Sequence, residues 1–125
     1  MKRPIPSIPF ILLLVIALLF TACGKDTPQT VATNYTEHWY KGELNAAKRY
    51  IVPEQRELVD KLASLRTAEE MKKLKNNTIE IEILNETPIT DTTMTVRCRV
   101  LINGEPQTNH YHLLKVKERW YVNIY

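Results

Sequence analysis

The sequence predicts an α+β domain in which a block of helices precedes a curved four-stranded antiparallel sheet. Three observations predict it. Apolar residues recur every three or four positions between Val31 and Leu65, the spacing of one helix face. After Asn76-Asn77 the spacing drops to two: Ile79, Ile81 and Ile83 alternate with Glu80 and Glu82, and Met94, Val96, Cys98, Val100 and Ile102 alternate with Thr93, Thr95, Arg97 and Arg99, as in strands buried on one side only. Helices and strands fall into two separate blocks, which argues for helices laid on one face of a meander rather than for alternating βα units.

Each helix carries its own boundary signals. Thr27 is placed to cap the first, with Pro28 at the first helical position, where a missing N–H costs nothing. Val31, Tyr35 and Trp39 then form a stripe flanked by Ala32 and His38, and Gly42 stops the helix. Glu43 to Ile51 reads as a short second helix with Leu44, Ala47, Tyr50 and Ile51 on one side, closed by Pro53. From Pro53 a third helix runs to about Arg66, with Leu58, Val59, Leu62 and Leu65 as its apolar face. Thr67, followed three residues later by Glu70, has the pattern of a capping box opening a last helix to Lys75.

Four strands follow. The first centres on Ile79 to Ile83 and the second on Met94 to Ile102. Asn103-Gly104 is a tight-turn pair, although Glu105-Pro106 beyond it predicts a longer loop. The third strand covers Thr108 to Val116, Lys117 to Arg119 turn the chain, and Trp120 to Tyr125 close the sheet. Trp39 and Trp120 are expected in one core that joins the first helix to the last strand.

The N-terminus has a different organisation. Lys2 and Arg3 precede an apolar run from Phe10 to Phe20, then Thr21-Ala22 and Cys23, in the order of a secretory signal. The run is well short of the roughly 20 apolar residues that span a bilayer. Ending on Thr21-Ala22-Cys23, it resembles the lipobox of bacterial lipoproteins, with Phe20 where an aliphatic residue is usual. The resemblance implies that residues 1–22 are removed, that Cys23 receives a diacylglyceryl group, and that residues 23–29 tether a domain spanning 30–125. Two acyl chains suffice for stable anchoring. The implied address is the bacterial cell envelope, and Gly24 rather than aspartate behind the cysteine points to the outer membrane.

Charge and cysteine content exclude several classes. The chain has 17 Lys and Arg against 14 Asp and Glu, and loss of Lys2 and Arg3 brings the remainder close to balance. With no block of like charges, neither a nucleic-acid stripe nor a polybasic patch is expected. There are 2 cysteines; with Cys23 acylated, Cys98 has no partner and is expected as an inert thiol buried in the apolar face of its strand. No phosphate loop, nucleophile elbow, zinc spacing or dinucleotide fingerprint is present, so no cofactor, metal or catalytic residue is assigned.

The stretch "VATNYTEHWYKGELNAAKRYI" and the terminal "HLLKVKERWYVNIY" resemble the cone-shaped α+β fold of the nuclear transport factor two and cystatin-like superfamily. They resemble most the uncharacterised lipoproteins whose first helix ends in a glycine-acidic pair, here Gly42-Glu43, and whose chain closes on a leucine, a basic turn and a tryptophan, here Leu114, Lys115 to Arg119, and Trp120. The resemblance implies a fold and no reaction. Glu118-Arg119 replaces the glycine usual in the last turn.

Two functions follow as expectations. One is a non-catalytic cone that binds a small apolar ligand or an envelope protein, with Tyr35, Trp39, Cys98, His112 and Trp120 as candidate lining residues; Tyr40, Tyr50 and Tyr121 could extend the aromatic mouth or serve as packing. The other is an isomerase- or hydrolase-like enzyme. Enzymes on such folds place a carboxylate or histidine against apolar walls that tune its pKa. Here Glu80 and Glu82 are expected to face outward, whereas His112 and His110 are expected inward with Leu114 and Val116, near His38. Arg97, Arg99, Lys115 and Lys117 are expected on the outer face, forming cross-strand ion pairs with Glu80 and Glu82.

Overall fold

The computed structural model describes residues 26–125. The expected signal peptide, Cys23 and the next two residues of the tether lie outside these residues. Helix α1 is Pro28–Tyr40, α2 is Leu44–Ala47, and 3-10 turns at Lys48–Tyr50 and Pro53–Gln55 lead into α3, Arg56–Ser64; α4 is Ala68–Lys75. Strands β1 (Ile79–Thr90), β2 (Thr93–Ile102), β3 (Glu105–Val116) and β4 (Arg119–Asn123) follow as an antiparallel meander in the order β1-β2-β3-β4. Among the described residues no helix is long and apolar enough to cross a membrane.

Local chemistry sets the ends of α1 and the start of α4 as expected, whereas the expected second helix, Glu43 to Ile51, is a short α-helix continued by a 3-10 turn. Thr27 Oγ1 accepts from the Thr30 amide at 3.2 Å, with Pro28 opening α1. Thr67 and Glu70 form a reciprocal capping box, 3.1 and 3.0 Å, which satisfies two amide donors that a helix start leaves unpaired. Gly42 follows α1 with φ +76° and is buried. A Cβ there would stand 3.1 Å from the Leu74 Cβ, so the position needs glycine both for its dihedral and for the approach of α4.

Helix α1 lies along the inner face of the sheet, antiparallel to β1. Its first turn is joined to β1 by a hydrogen bond between the Gln29 amide and the Glu86 carboxylate, and at its other end the Tyr40 carbonyl accepts from Asn77 Nδ2 at 2.9 Å. Between them Val31, Ala32 and Tyr35 pack with Val96, Leu113 and Val122 from the sheet and Leu44, Ala47, Ile51 and Val59 from the other helices. Ile51 also forms a parallel bridge to Val122, so the segment after α2 covers part of the β4 edge. Trp39 and Trp120 both pack against this core, each only partly buried; the expected link between first helix and last strand is present, at the rim of the core.

Four expectations are corrected. The third helix buries only Val59 of its predicted stripe, and Leu65 is 77% exposed, because the helix ends at Ser64 before its last turn reaches a partner. The β2–β3 loop is the minimal pair Asn103-Gly104, φ 53° and 86°, not a longer one. Pro106 is tolerated because it pairs with Leu101 one step beyond the closing pair Ile102–Glu105, where alternation turns its nitrogen away from β2 and toward a side that β4 does not reach. The phase of β3 is opposite to the expected one. Tyr111 and Leu113 face the core, and His110 and His112 are exposed on the outer face. Lastly, Glu82 stands opposite Arg99 in register, but among the described residues no ion pair joins Glu80 or Glu82 to the arginines.

Candidate functional site

The C-terminal half of α1 and the first half of β3 build a polar, aromatic rim at one end of the cone. Thr36 sits within α1, fully buried, and donates its hydroxyl proton to the Ala32 carbonyl at 2.7 Å. That proton is its only one, so the 2.8 Å contact between Thr36 Oγ1 and the Tyr111 hydroxyl uses the phenol's proton. Tyr111 in turn accepts from Asn109 Nδ2 at 2.9 Å. Asn109 gives its second amide proton to the Tyr40 hydroxyl at 3.0 Å, and Gln107 Nε2 donates to Tyr40 at 2.6 Å and to Asn109 Oδ1 at 3.0 Å.

The chain Thr36–Tyr111–Asn109–Tyr40–Gln107 therefore ties α1 to β3 with neutral groups only. It consumes every amide proton of Asn109 and Gln107, and leaves the Tyr40 phenol proton and the Gln107 side-chain carbonyl without a partner among the described residues. The Tyr40 hydroxyl borders an open depression of about 440 Å³ lined also by Tyr35, Trp39, Thr108, Asn109, His110 and Tyr111, and Gln107 adjoins it through its bonds to Tyr40 and Asn109. Tyr35 packs edge-on to Tyr111 at 5.6 Å and beside Trp39 at 5.7 Å, filling the space behind the rim.

Burial fixes the ionisation of these groups. It pushes the Tyr111 hydroxyl up to about 12, against the opposing pull of the Asn109 amide that donates to it. Tyr35 is raised further, first by burial and then by its neighbours Tyr111 and Tyr40. Cys98, 0% exposed, has its thiol raised by burial. A thiol so placed is neutral and screened, the opposite of the exposed electropositive setting of reactive cysteines.

Of the residues singled out in the sequence, Tyr35, Trp39 and Cys98 come together beneath or beside the rim. Trp120 packs on the same core from β4, where its ring carries Lys115 Nζ at 5.8 Å from the centroid. His112 is separate: it lies on the outer face, 3.3 Å from Thr95 Oγ1, with the sheet between it and Cys98. His38 bonds Glu43 at 2.8 Å and stacks on Tyr50 at 6.0 Å, also away from the rim, so the three histidines do not converge. Neither His110 nor His112 points into the core as expected; both are exposed on the outer face, and His110 borders the rim depression from that side. Sequence reasoning missed Thr36, Gln107, Asn109 and Tyr111; the signal was the phase of β3, where Tyr111 and Leu113 compete with His112 and Leu114 for the inner face.

The fold recurs among solved structures. A Campylobacter jejuni protein provisionally named an NTF2-like transpeptidase is 25% identical, with a TM-score of 0.62 over 80% of this chain and 100% of its own. A SEC-C motif containing protein from Rhodopseudomonas palustris is 16% identical, TM-score 0.54, over 78% of this chain and 75% of its own. An NTF-2 like protein of unknown function from Shewanella oneidensis is 13% identical, TM-score 0.50, over 74% and 88%. No curated protein matches. The architecture is thus NTF2-like, helices packed against a four-stranded antiparallel sheet, and since the profile of the domain of unknown function DUF4878 matches residues 21–123, the chain belongs to the DUF4878 family.

Proposed function

We propose that this chain is a lipid-anchored protein of the bacterial envelope, held through a diacylglyceryl group on Cys23, whose cone domain binds a ligand or protein at the rim without transforming it. The observation that carries the reading is the neutral hydrogen-bond chain from Thr36 to Gln107. It spends its polar atoms on holding shape and offers one donor and one acceptor beside aromatic surface, which suits recognition. Acid-base chemistry there would fall to His110, which borders the depression but is exposed on the outer face, outside the apolar walls that tune a catalytic group.

The anchor and the rim also fit together. Helix α1 begins close to Cys23 and ends at Tyr40, about 20 Å away at 1.5 Å per residue, so the rim is held off the bilayer and open to the envelope space.

A transpeptidase reading, suggested by the name of the Campylobacter jejuni neighbour, would need a nucleophile; the buried, raised thiol of Cys98 does not favour it. Native mass spectrometry of the full chain purified from its own membranes tests the proposal. An adduct at the diacylglyceryl mass on Cys23, with a second, non-covalent ligand lost in Asn109→Ala, is the expected result. An unlipidated chain, or a ligand indifferent to Asn109 and Tyr40, would refute the corresponding half.

A further inference from the structure

The end of the sheet opposite the rim carries a second surface. Because α1 runs antiparallel to β1, its N-terminus emerges at the end that holds the β1–β2 turn and the β3–β4 turn. These two turns are joined by the Lys115 amide donating to the Thr92 carbonyl at 2.7 Å. Ile89, just before the first turn, is 62% exposed. Beside it is an outer-face hollow of about 390 Å³ that includes Thr93, Thr95, His112 and Leu114. The second turn brings Lys115, Lys117 and Arg119 to the same end, against Glu118 and Asp91. In sequence, Cys23 is four residues before the cap Thr27, a reach of at most about 14 Å.

We propose that this end is a membrane-contact surface: Ile89 and the adjoining apolar hollow enter the interfacial region of the bilayer, while Lys117 and Arg119 meet anionic phospholipid headgroups. The inference rests on the reading of Cys23 as the anchor. A tether of four residues brings this end of the domain to the bilayer before any other part. An exposed isoleucine at the same end of the sheet as Lys117 and Arg119 suits that boundary, where apolar atoms bury and cations are attracted to negative surface potential. Docking here fixes the domain's orientation, so the rim points away from the membrane by construction rather than by chance.

The test uses the full lipidated chain in vesicles of phosphatidylethanolamine and phosphatidylglycerol. An environment-sensitive thiol dye is attached in Ile89→Cys and, at the opposite end, in Asn103→Cys; Cys98 is buried and an acylated Cys23 is blocked, so the introduced thiol alone is labelled. The expected result is that the dye at position 89 is quenched by nitroxide lipids and protected from aqueous iodide, several-fold in each case relative to the dye at position 103. A Lys117→Glu, Arg119→Glu variant should move position 89 toward the behaviour of position 103. Equal iodide access at the two positions in a chain whose mass shows the lipid would overturn the docking surface while leaving the anchor intact. A chain without lipid would overturn both.

Discussion

Thr36 Oγ1 and the Tyr111 hydroxyl lie 2.8 Å apart, a polar bond between α1 and β3 in the middle of an otherwise apolar interface. Each group has a further duty: Thr36 satisfies the Ala32 carbonyl and Tyr111 accepts from Asn109. Tyr111→Phe therefore leaves Asn109 with an unused donor and Thr36 short of a proton. A loss of about 1–2 kcal/mol is expected, within the range for a buried hydrogen bond left half-made, and urea denaturation of the variant measures it. A variant as stable as the wild type would show that the chain of bonds contributes nothing to holding α1 on the sheet.

Alkaline pH should destabilise the fold. Cys98, Tyr35 and Tyr111 all have folded pKa values above their ordinary ones, so the folded state keeps protons that the unfolded chain releases. The number bound on unfolding falls, and stability declines as pH rises. This stabilisation is complete below the unfolded thiol value of about 8.5, begins to fade above it, and fades faster above about 10, where unfolded tyrosines ionise. Denaturant midpoints across pH 7 to 11 check the sign; a midpoint that is flat or rising would contradict it.

The phase of β3 can be tested by two adjacent leucines. Leu113 is 1% exposed in the core, whereas Leu114 faces outward and is partly exposed. Leu113→Ala should cost about 2–5 kcal/mol, and Leu114→Ala clearly less. The order would reverse if His112 and Leu114 faced the core.

The β3–β4 turn stores strain that can be relieved. Lys117 and Glu118 have φ of 50° and 68°, the left-handed conformation that a two-residue turn between twisted strands demands and that side chains resist. Lys117→Asn with Glu118→Gly should stabilise the domain by about 1 kcal/mol. The converse holds at Gly42, where φ is +76° and a Cβ would crowd Leu74. Gly42→Ala should cost at least about 1 kcal/mol. Thermal melts of both variants give the comparison.

These cases show what was legible in the sequence. Helix order, both caps, the stop at Gly42 and the four strands could be read because each is written locally, in a cap residue, a glycine or a period of two. The site was less legible. In "NHYHLLKV" two leucines stand side by side, so alternation alone permits either phase, and it is the pairing of Tyr111 with Val96 and Leu113 with Met94 that decides it. Once the phase is set, Asn109 and Tyr111 turn inward and both histidines turn out. Gln107 and Asn109 carry no sequence signal by themselves, since an amide on a strand end is ordinary; only the Tyr40 hydroxyl arriving from α1 makes them a site. Likewise Glu82 and Arg99 are opposite in register as alternation suggested, but register alone does not bring long exposed side chains into contact.

In the proposed reading the cone holds its partner and has no activated nucleophile, and the pH dependence of alkylation at Cys98 in the folded chain decides the point. With the thiol buried and its pKa raised, modification by iodoacetamide should be slow at pH 7, should accelerate sharply on unfolding, and should be unchanged by His112→Ala, since that ring lies across the sheet. Rapid modification below about pH 7, where an ordinary thiol of pKa about 8.5 is mostly protonated, and its loss in His112→Ala, would establish an activated thiol-imidazole pair and contradict the account.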